Sequence, residues 1–415
     1  MNYIDLFAGA GGLSEGFLQA GCEPVAHIEM NVDACNTLKT RSCYHYLKNI
    51  NQLNIYRRYE KKQIPREQLY ASVPNFILNS VINAEISKET INSIFNQVDE
   101  LLLVNPEWNN QVDIIVGGPP CQAYSLVGRA VKENKMINDP RNFLYQMYCR
   151  FLQKYNPKMF VFENVPGLLT ASGGQHFKNL KKYMRRVGYE IEARELNASN
   201  FGVLQSRKRI IIVGWRKNLP LYFPEIPTIQ HNYLVNDLFK DLPNLQAGEK
   251  SNRYKPVKHS MYLSEFGIRE TGDNLTWHEA RPHTVRDRDI YRRVIELWND
   301  NHQRLRYCDL PDNLRTHHNT TAFLDRFKIV EGDTSTCHTM MAHISKDGHY
   351  FIHPDLSQAR SITVREAARI QSFPDSYYFE SSRTAAFTQI GNAVPPLMAK
   401  AIAVEIKNLL ENYDG

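Results

Sequence analysis

A thiol at Cys121, a carboxylate at Glu163 and two guanidinium groups at Arg207 and Arg209 are the side chains whose types and settings suit covalent chemistry. Cys121 follows Val112-Asp113-Ile114-Ile115-Val116-Gly117-Gly118-Pro119-Pro120 and precedes Gln122. A thiolate is a strong nucleophile, and two prolines ahead of it fix φ and lower the entropy of the loop that carries it. Most free cysteines are simply small buried hydrophobes, so this thiol counts as reactive only if other groups converge on it. Glu163 closes the run Lys158-Met159-Phe160-Val161-Phe162 and opens Asn164-Val165-Pro166-Gly167. It can hold or move a proton, or merely cap the next helix. Arg207 and Arg209, two apart, lie on the same side of an extended chain and suit an anionic or carbonyl-rich ligand, although each alone reads as surface charge.

A second constellation lies at the N-terminus. Ala8-Gly9-Ala10-Gly11-Gly12 is a glycine-rich loop, and Glu29 stands twenty residues beyond Gly9. Glycines let the backbone approach a ligand closely, and an acidic residue at that distance can accept both hydroxyls of a ribose. The pair points to a nucleoside cofactor. NAD and FAD stay open at this point, but Ser14 occupies the third glycine position of a G-x-G-x-x-G pattern.

These groups need strands that end at a common edge. Tyr3 to Phe7, Pro24 to Ile28, Val112 to Val116 and Lys158 to Phe162 read as buried strands of a parallel sheet, whose carboxyl ends face the ligand crevice. Leu13 to Ala20, closed by Gly21, and Phe143 to Tyr155, with Leu144, Met147, Tyr148, Phe151 and Leu152 on one face, read as helices. Glu190 to Leu196 and Arg209 to Val213 form an antiparallel pair. Phe76 to Ile86 reads as a third strand ending at Ala84-Glu85-Ile86, within an otherwise polar and irregular stretch from Cys43 to Asn110. The cations Arg57, Arg58, Lys61 and Lys62 there suit a phosphate backbone or a solvated face. From about Asn218 to His353 the αβ rhythm stops, turn residues and histidines accumulate, and Asp347-Gly348 marks a hairpin between Thr336–Ile344 and Tyr350–Ile352. That segment reads as a second, irregular β-rich domain. Thr363 to Gln371 and Leu397 to Leu410 return to helical patterning and should rejoin the first domain. The expected boundaries are 1–217, 218–355 and 356–415.

Composition narrows the classes. The chain has 415 residues, enough for more than one domain, and a net charge of +6, permissive for nucleic acid. No apolar run approaches the roughly 20 residues that span a bilayer, and nothing at the N-terminus resembles an export signal. Seven scattered cysteines fit a reducing cytosol, and no set of side chains has metal-site spacing, so a cytoplasmic protein without metal is expected.

Taken in order, the motifs resemble those of the cytosine-C5 DNA methyltransferases that use S-adenosylmethionine. Asp5-Leu6-Phe7-Ala8-Gly9-Ala10-Gly11-Gly12, Gly118-Pro119-Pro120-Cys121-Gln122, Glu163-Asn164-Val165, Gln205-Ser206-Arg207-Lys208-Arg209, Arg360 through Asp375 and Gln389 through Val394 all match, over nearly the whole chain. The resemblance implies an α/β fold, with a Rossmann-like S-adenosylmethionine-dependent catalytic domain and an inserted smaller target-recognition domain. It implies that Phe7, Ala8, Gly9, Gly11, Gly12, Leu13, Glu29, Met30, Glu85, Ile86, Pro120, Leu144 and Asn392 line the cofactor site, with Met30 stacked on adenine. Glu85 stands where the family usually has Asp, and the stretch between Glu29 and Cys121 is longer than in compact members.

The same resemblance implies a mechanism. Cys121 adds to C6 of cytosine, Glu163 near N3 favours the electron-rich ring, and Arg209, helped by Arg207, holds the O2 edge. The base must leave the duplex for this, so the partner is double-stranded DNA, met by a monomer, with a restriction or phage-defence system encoded alongside. A tRNA cytosine methyltransferase on the same motifs is the alternative, against which the large second domain argues.

Overall fold

The computed structural model describes residues 1–119, 140–316, 319 and 321–414. The chain begins with β1 (Asn2–Leu6), α1 (Gly12–Gln19), β2 (Glu23–Glu29) and α2 (Val32–Asn49). Then come α3 (Leu53–Glu60), α4 (Arg66–Tyr70), α5 (Asn75–Asn79), β3 (Val81–Asn83), α6 (Ile91–Leu102) and β4 (Ile114–Gly117). After residues 120–139 follow α7 (Pro140–Tyr155), β5 (Met159–Asn164), α8 (Gly167–Thr170), α9 (Gln175–Arg186), β6 (Tyr189–Asn197) and β7 (Lys208–Arg216). Beyond the sheet lie α10 (Met261–Glu265), α11 (Val285–Asn301), α12 (Val364–Ile370), α13 (Arg383–Asn392) and α14 (Pro396–Asp414).

The seven strands form one mixed sheet in the order β3-β2-β1-β4-β5-β7-β6. β1 pairs in parallel with β2 and β4, β2 with β3 and β4 with β5, while β7 is antiparallel to both β5 and β6. The order reverses between β1 and β4, the place where open α/β sheets leave a crevice beyond the carboxyl ends of their strands. Because strand residues alternate faces, each side of the sheet collects its own core. Tyr3, Val116, Val161 and Ile211 pack with α1, α12, α13 and α14, whereas Ile4, Ile115, Phe160 and Ile212 pack with α6, α7 and α9. On the first face α1 lies close against α14, and a side chain at Gly16 would come within 2.4 Å of the Lys400 backbone nitrogen.

Two expectations are corrected. The stretch from Cys43 to Asn110 is largely helical, and its strand is only Val81–Asn83, preceded by α5. In α2 polar residues interrupt the buried apolar ones: Thr37, Thr40 and Arg41 are buried and turn inward to Gln389, Glu380 and Glu15, whereas α6 carries a plain apolar face of Ile91, Ile94, Phe95, Val98, Leu101 and Leu102. The segment 218–355 is irregular but not β-rich, for among its described residues there is no strand, only isolated bridges such as Gln205 with Cys337 and Ile329 with Ile352. The hairpin about Asp347-Gly348 is absent, and Ala342–Ser345 is a 3-10 turn instead. Side chains replace the ladder as backbone partners here: the Arg281 guanidinium donates to the Lys346 carbonyl at 3.0 Å and to that of Ile344. Part of the segment, including Leu238, Leu263, Val330 and Met340, packs into the core of the first sheet face. Ile290, Val294, Tyr307 and Phe327 form a smaller core of their own.

Candidate active site

The crevice end of the sheet gathers most of the chemically capable residues, because each terminates or starts a strand there. On the β1–β2 side, Phe7 takes a left-handed backbone (φ 58°), a costly conformation for an aromatic residue and one that recurs at functional sites. The loop then turns so that the Ala8 nitrogen donates to the Ile28 carbonyl at 3.1 Å. Glu29 is fixed by two backbone donors, Gly9 to Oε2 at 2.8 Å and Asn31 to Oε1 at 2.7 Å. A carboxylate held in this way is oriented before any ligand arrives. Next to it Met30 is 61 % exposed, unusual for an apolar side chain beside a crevice, and the Asn83 amide braces its carbonyl at 3.0 Å. Glu85 is exposed and Ile86 buried, just past β3, with Thr90 donating to the Glu85 carbonyl. Gly11, Gly12, Ala8 and Leu13 are buried in the loop and the first turn of α1.

Asp5 was not singled out from sequence. It lies one residue before the end of β1, opposite His27 on β2 and Val116 on β4, and is 1 % exposed. Neither carboxylate oxygen has a hydrogen-bond partner among the described residues. Burial, and then the nearby charge of Glu29, push its pKa well above the ordinary carboxylate range. The signal was available: an acidic residue inside an apolar strand is costly unless something pairs with it.

On the β4–β5–β7 side, Glu163 and Arg209 meet directly, Nε to Oε1 at 2.7 Å, at 18 % and 13 % exposure. The pair is sheltered yet open to a ligand. Register explains the meeting, since Glu163 faces Ile211 across the β5–β7 ladder and Arg209 lies two residues further along the same face. Gly117 and Gly118 lie between the two halves of the site. A Cβ at Gly117 would sit 1.9 Å from the Leu6 carbonyl oxygen, and one at Gly118 would sit 1.9 Å from that of Glu163. The Asn164 amide reaches the Pro119 carbonyl at 3.4 Å. Only glycines allow β4 to leave the sheet wedged between the cofactor-side loop and Glu163, carrying the chain toward Cys121. Pro120 and Cys121 themselves lie outside the described residues.

The other six cysteines are free thiols. Burial pushes Cys22 and Cys35 up to about 11 and Cys43 and Cys149 up to about 12, and raises Cys337 as well. Such thiols are poor nucleophiles near neutral pH. Cys308 is half-buried and turned to Asp309, within the segment beyond the sheet.

Arg207 sits elsewhere than its neighbour. It is 1 % exposed, and its guanidinium donates to the Met340 carbonyl at 2.5 Å and the Gly391 carbonyl at 2.9 Å. It thereby ties the segment beyond the sheet to α13, immediately before Asn392, which is exposed. Leu144 on α7 is half-buried. Among the described residues no group of three or more potential ligands could hold a metal ion, and no helix is long and apolar enough to cross a membrane.

A seven-stranded α/β sheet with a carboxylate–arginine pair and a glycine-rich loop at one crevice has the form of a nucleoside-cofactor-dependent transferase. The family model for C-5 cytosine-specific DNA methylase matches residues 1–74 and 78–408. A type II methyltransferase of Bacillus paralicheniformis is 40 % identical, with all of both chains covered. A type II methyltransferase of Xanthomonas oryzae pv. oryzae is 30 % identical over 98 % of this chain and 84 % of its own. In architecture, a DNA modification methyltransferase from an Escherichia coli prophage, described as putative, superposes with a TM-score of 0.63, covering 99 % of each chain at 24 % identity. The chain belongs to the C-5 cytosine-specific DNA methylase family. It is a DNA (cytosine-5-)-methyltransferase, of a family that depends on S-adenosylmethionine.

Proposed function

We propose that the chain binds S-adenosylmethionine at the ends of β1 and β2, and methylates a cytosine flipped out of double-stranded DNA at one sequence, within a restriction or phage-defence system. The observation that carries this is the Glu163–Arg209 contact at 2.7 Å, beside the glycine pair from which β4 runs toward Cys121.

The cofactor side fits in charge as well as shape. From Phe7 to Leu13 the loop contains no basic residue, and it lies beside two carboxylates, the buried unpaired Asp5 and the oriented Glu29. A dinucleotide would bring a pyrophosphate anion to that loop. S-adenosylmethionine brings a ribose for Glu29, an adenine for the exposed face of Met30, and positive charge that suits Asp5. When bound, it supplies the electrophilic methyl group. Phe7, Ala8, Gly9, Gly11, Gly12, Leu13, Glu85, Ile86, Pro120, Leu144 and Asn392 complete the lining in this reading.

On the base side the chain's residues raise the nucleophilicity of C5. The Cys121 thiolate adds to C6 of the flipped cytosine, and electron density moves toward N3 and C5. Glu163 holds a proton at N3, and Arg209, already paired with Glu163, donates to the O2 edge where negative charge grows. After C5 takes the methyl group, a base removes the C5 proton and Cys121 leaves, restoring the ring and the thiolate. Arg207 supports this step by position. Residues 218–355 face the duplex and read base edges. Grafting them from a relative of different specificity should transfer the target sequence, and an active chimera that keeps the original site would contradict that assignment.

The test is transfer of radiolabelled methyl from S-adenosylmethionine to duplex DNA, with nucleoside digestion to identify the product. 5-Methylcytosine is expected, together with calorimetric binding of S-adenosylhomocysteine and none of NAD. Label in RNA only, or binding of NAD, would overturn the proposal.

A further inference from the structure

Outside the crevice, one face of α9 is densely cationic. Lys178, Lys181, Lys182, Arg185 and Arg186 of α9 line a shallow hollow there, open to solvent, of about 450 Å³. Its lining is wholly cationic. Arg185 pairs with Glu190 at 2.9 Å, while the other four have no ion-pair partner among the described residues. Lys217 extends the patch, its Nζ donating to the Arg185 carbonyl at 2.7 Å.

This arrangement works against the helix that carries it. Lys178/Lys182, Lys181/Arg185 and Lys182/Arg186 are like-charge pairs at i,i+4, a spacing at which repulsion destabilises a helix by a few tenths of a kcal/mol per pair. A solvated surface helix ordinarily intersperses acids at those positions, and α9 has none along its length. An anionic ligand would turn the repulsion into attraction. Position indicates which anion. β5 and β6 run in the same direction, each antiparallel to β7, and α9 connects them, so its first residues lie at the crevice end. The cations run from Lys178 down the flank of the sheet over about 12 Å at 1.5 Å per residue. That length spans several phosphates of a duplex strand.

We infer that this face of α9 is a second phosphate-backbone site, holding duplex DNA that extends beyond the base pairs in the crevice. The inference rests on the proposed binding of duplex DNA at the crevice. Neutralising Lys178, Lys181, Lys182 and Arg186 to Gln leaves the Arg185–Glu190 pair and every proposed catalytic and cofactor residue in place. The probes are a 14-base-pair duplex covering only the mapped methylation site and a 40-base-pair duplex centred on it, both with S-adenosylhomocysteine, followed by fluorescence anisotropy against salt. Each phosphate contact contributes about 0.9 to the log–log salt slope, so the variant should lose about 3 to 4 units of slope on the 40-mer. Binding and methylation of the 14-mer should be unchanged. Lysine acetylation footprinting of the wild type should show Lys178, Lys181 and Lys182 protected by the 40-mer and not by the 14-mer. An unchanged slope on the 40-mer overturns the inference, as do equal losses on both duplexes or protection by single-stranded RNA alone. Methylation of the 14-mer by the wild type separates these outcomes from a failure of the crevice reading itself.

Discussion

Replacing Arg369 by Met should destabilise the protein by about 3–5 kcal/mol, the usual consequence of removing one partner from a buried ionic cluster. Arg369, Asp241 and Asp375 are each 0 % exposed. The guanidinium reaches Asp241 at 2.7 Å, Asp375 at 2.6 Å through Nη2 and 2.9 Å through Nε, and the Leu238 carbonyl at 2.5 Å. Burial alone would raise the Asp375 pKa, and Arg369, with Arg365 and the Tyr254 hydroxyl, more than offsets it, holding the carboxyl below its ordinary range. Without the guanidinium, Asp375 retains the Tyr254 hydroxyl at 2.7 Å and Arg365 at 3.7 Å, and Asp241 retains Arg269. Those remaining partners place the expected loss near the lower end, about 3 kcal/mol. Urea denaturation read by tryptophan fluorescence suits the question, because the Trp277 carbonyl accepts from the α12 backbone at Arg365. Adding Asp241→Asn and Asp375→Asn to Arg369→Met should recover none of the loss, since Arg269 and the fully buried Arg365 then lose their carboxylates. Because Leu238 and Asp241 belong to the segment beyond the sheet while Arg369 and Asp375 belong to the tail, the single variant should also weaken DNA binding. A loss below about 1 kcal/mol, or a triple variant as stable as the wild type, would refute the reasoning.

Two further predictions concern the crevice and the junction beside it. Gly118→Ala forces a Cβ to a position 1.9 Å from the Glu163 carbonyl oxygen; displacing the nucleophile's strand by about 1 Å should lower kcat on the order of 100-fold while S-adenosylhomocysteine binding is kept, and normal turnover would contradict the wedge assigned to that glycine. Glu60 is 7 % exposed, and burial raises its carboxyl to about 8, opposed in part by the Asn274 amide at 2.9 Å. The folded chain therefore keeps a proton that the unfolded chain releases from about pH 4.5 upward, so stability falls as pH rises through that window, by as much as about 1.4 kcal/mol per pH unit. Glu60→Gln should flatten that slope and raise the midpoint of urea denaturation at pH 8, whereas an unchanged pH dependence would show that Glu60 ionises freely.

The strands that bear the site were legible in the sequence because buried parallel strands are short apolar runs, and β2, β4 and β5 end at Glu29, Gly117 and Asn164. Glu29 could be placed from its distance to Gly9, and Glu163 from the end of its run. Alternation put Arg209 and Arg207 on the same side of an extended chain but did not set either against Glu163. The same alternation could not show that Arg207 is drawn under α13 by the Met340 and Gly391 carbonyls, since those partners lie 133 and 184 residues away. Asp5 was passed over because an acid inside a strand announces only that a partner is missing. The helices between Glu29 and β3 were hidden because polar groups interrupt their buried apolar residues: Arg41 and His45 turn to the buried Glu15 at 2.6 and 3.0 Å, beside a cluster of Tyr44, Leu47, Tyr56 and Leu69. The segment 218–355 misled in the opposite sense. Its turn residues and the Asp347-Gly348 pair suggested ladders, but side chains such as Arg281 satisfy the backbone instead.

Covalent trapping on DNA that carries 5-fluorocytosine at the target site tests the central claim most directly. Once Cys121 has added to C6 and C5 has been methylated, fluorine stands where the departing proton should be and cannot leave as a cation. Elimination stalls, and the protein stays attached to DNA. The adduct should require S-adenosylmethionine, survive denaturation, and map by peptide mass to the segment around Cys121. Cys121→Ser should abolish it, because an unactivated hydroxyl is a far weaker nucleophile than a thiolate. Glu163→Gln should slow its formation on the order of 100-fold or more while S-adenosylhomocysteine binding stays near normal. The five buried thiols, all held protonated, should contribute nothing. An adduct through any other cysteine, or full turnover by Cys121→Ser, would contradict the account.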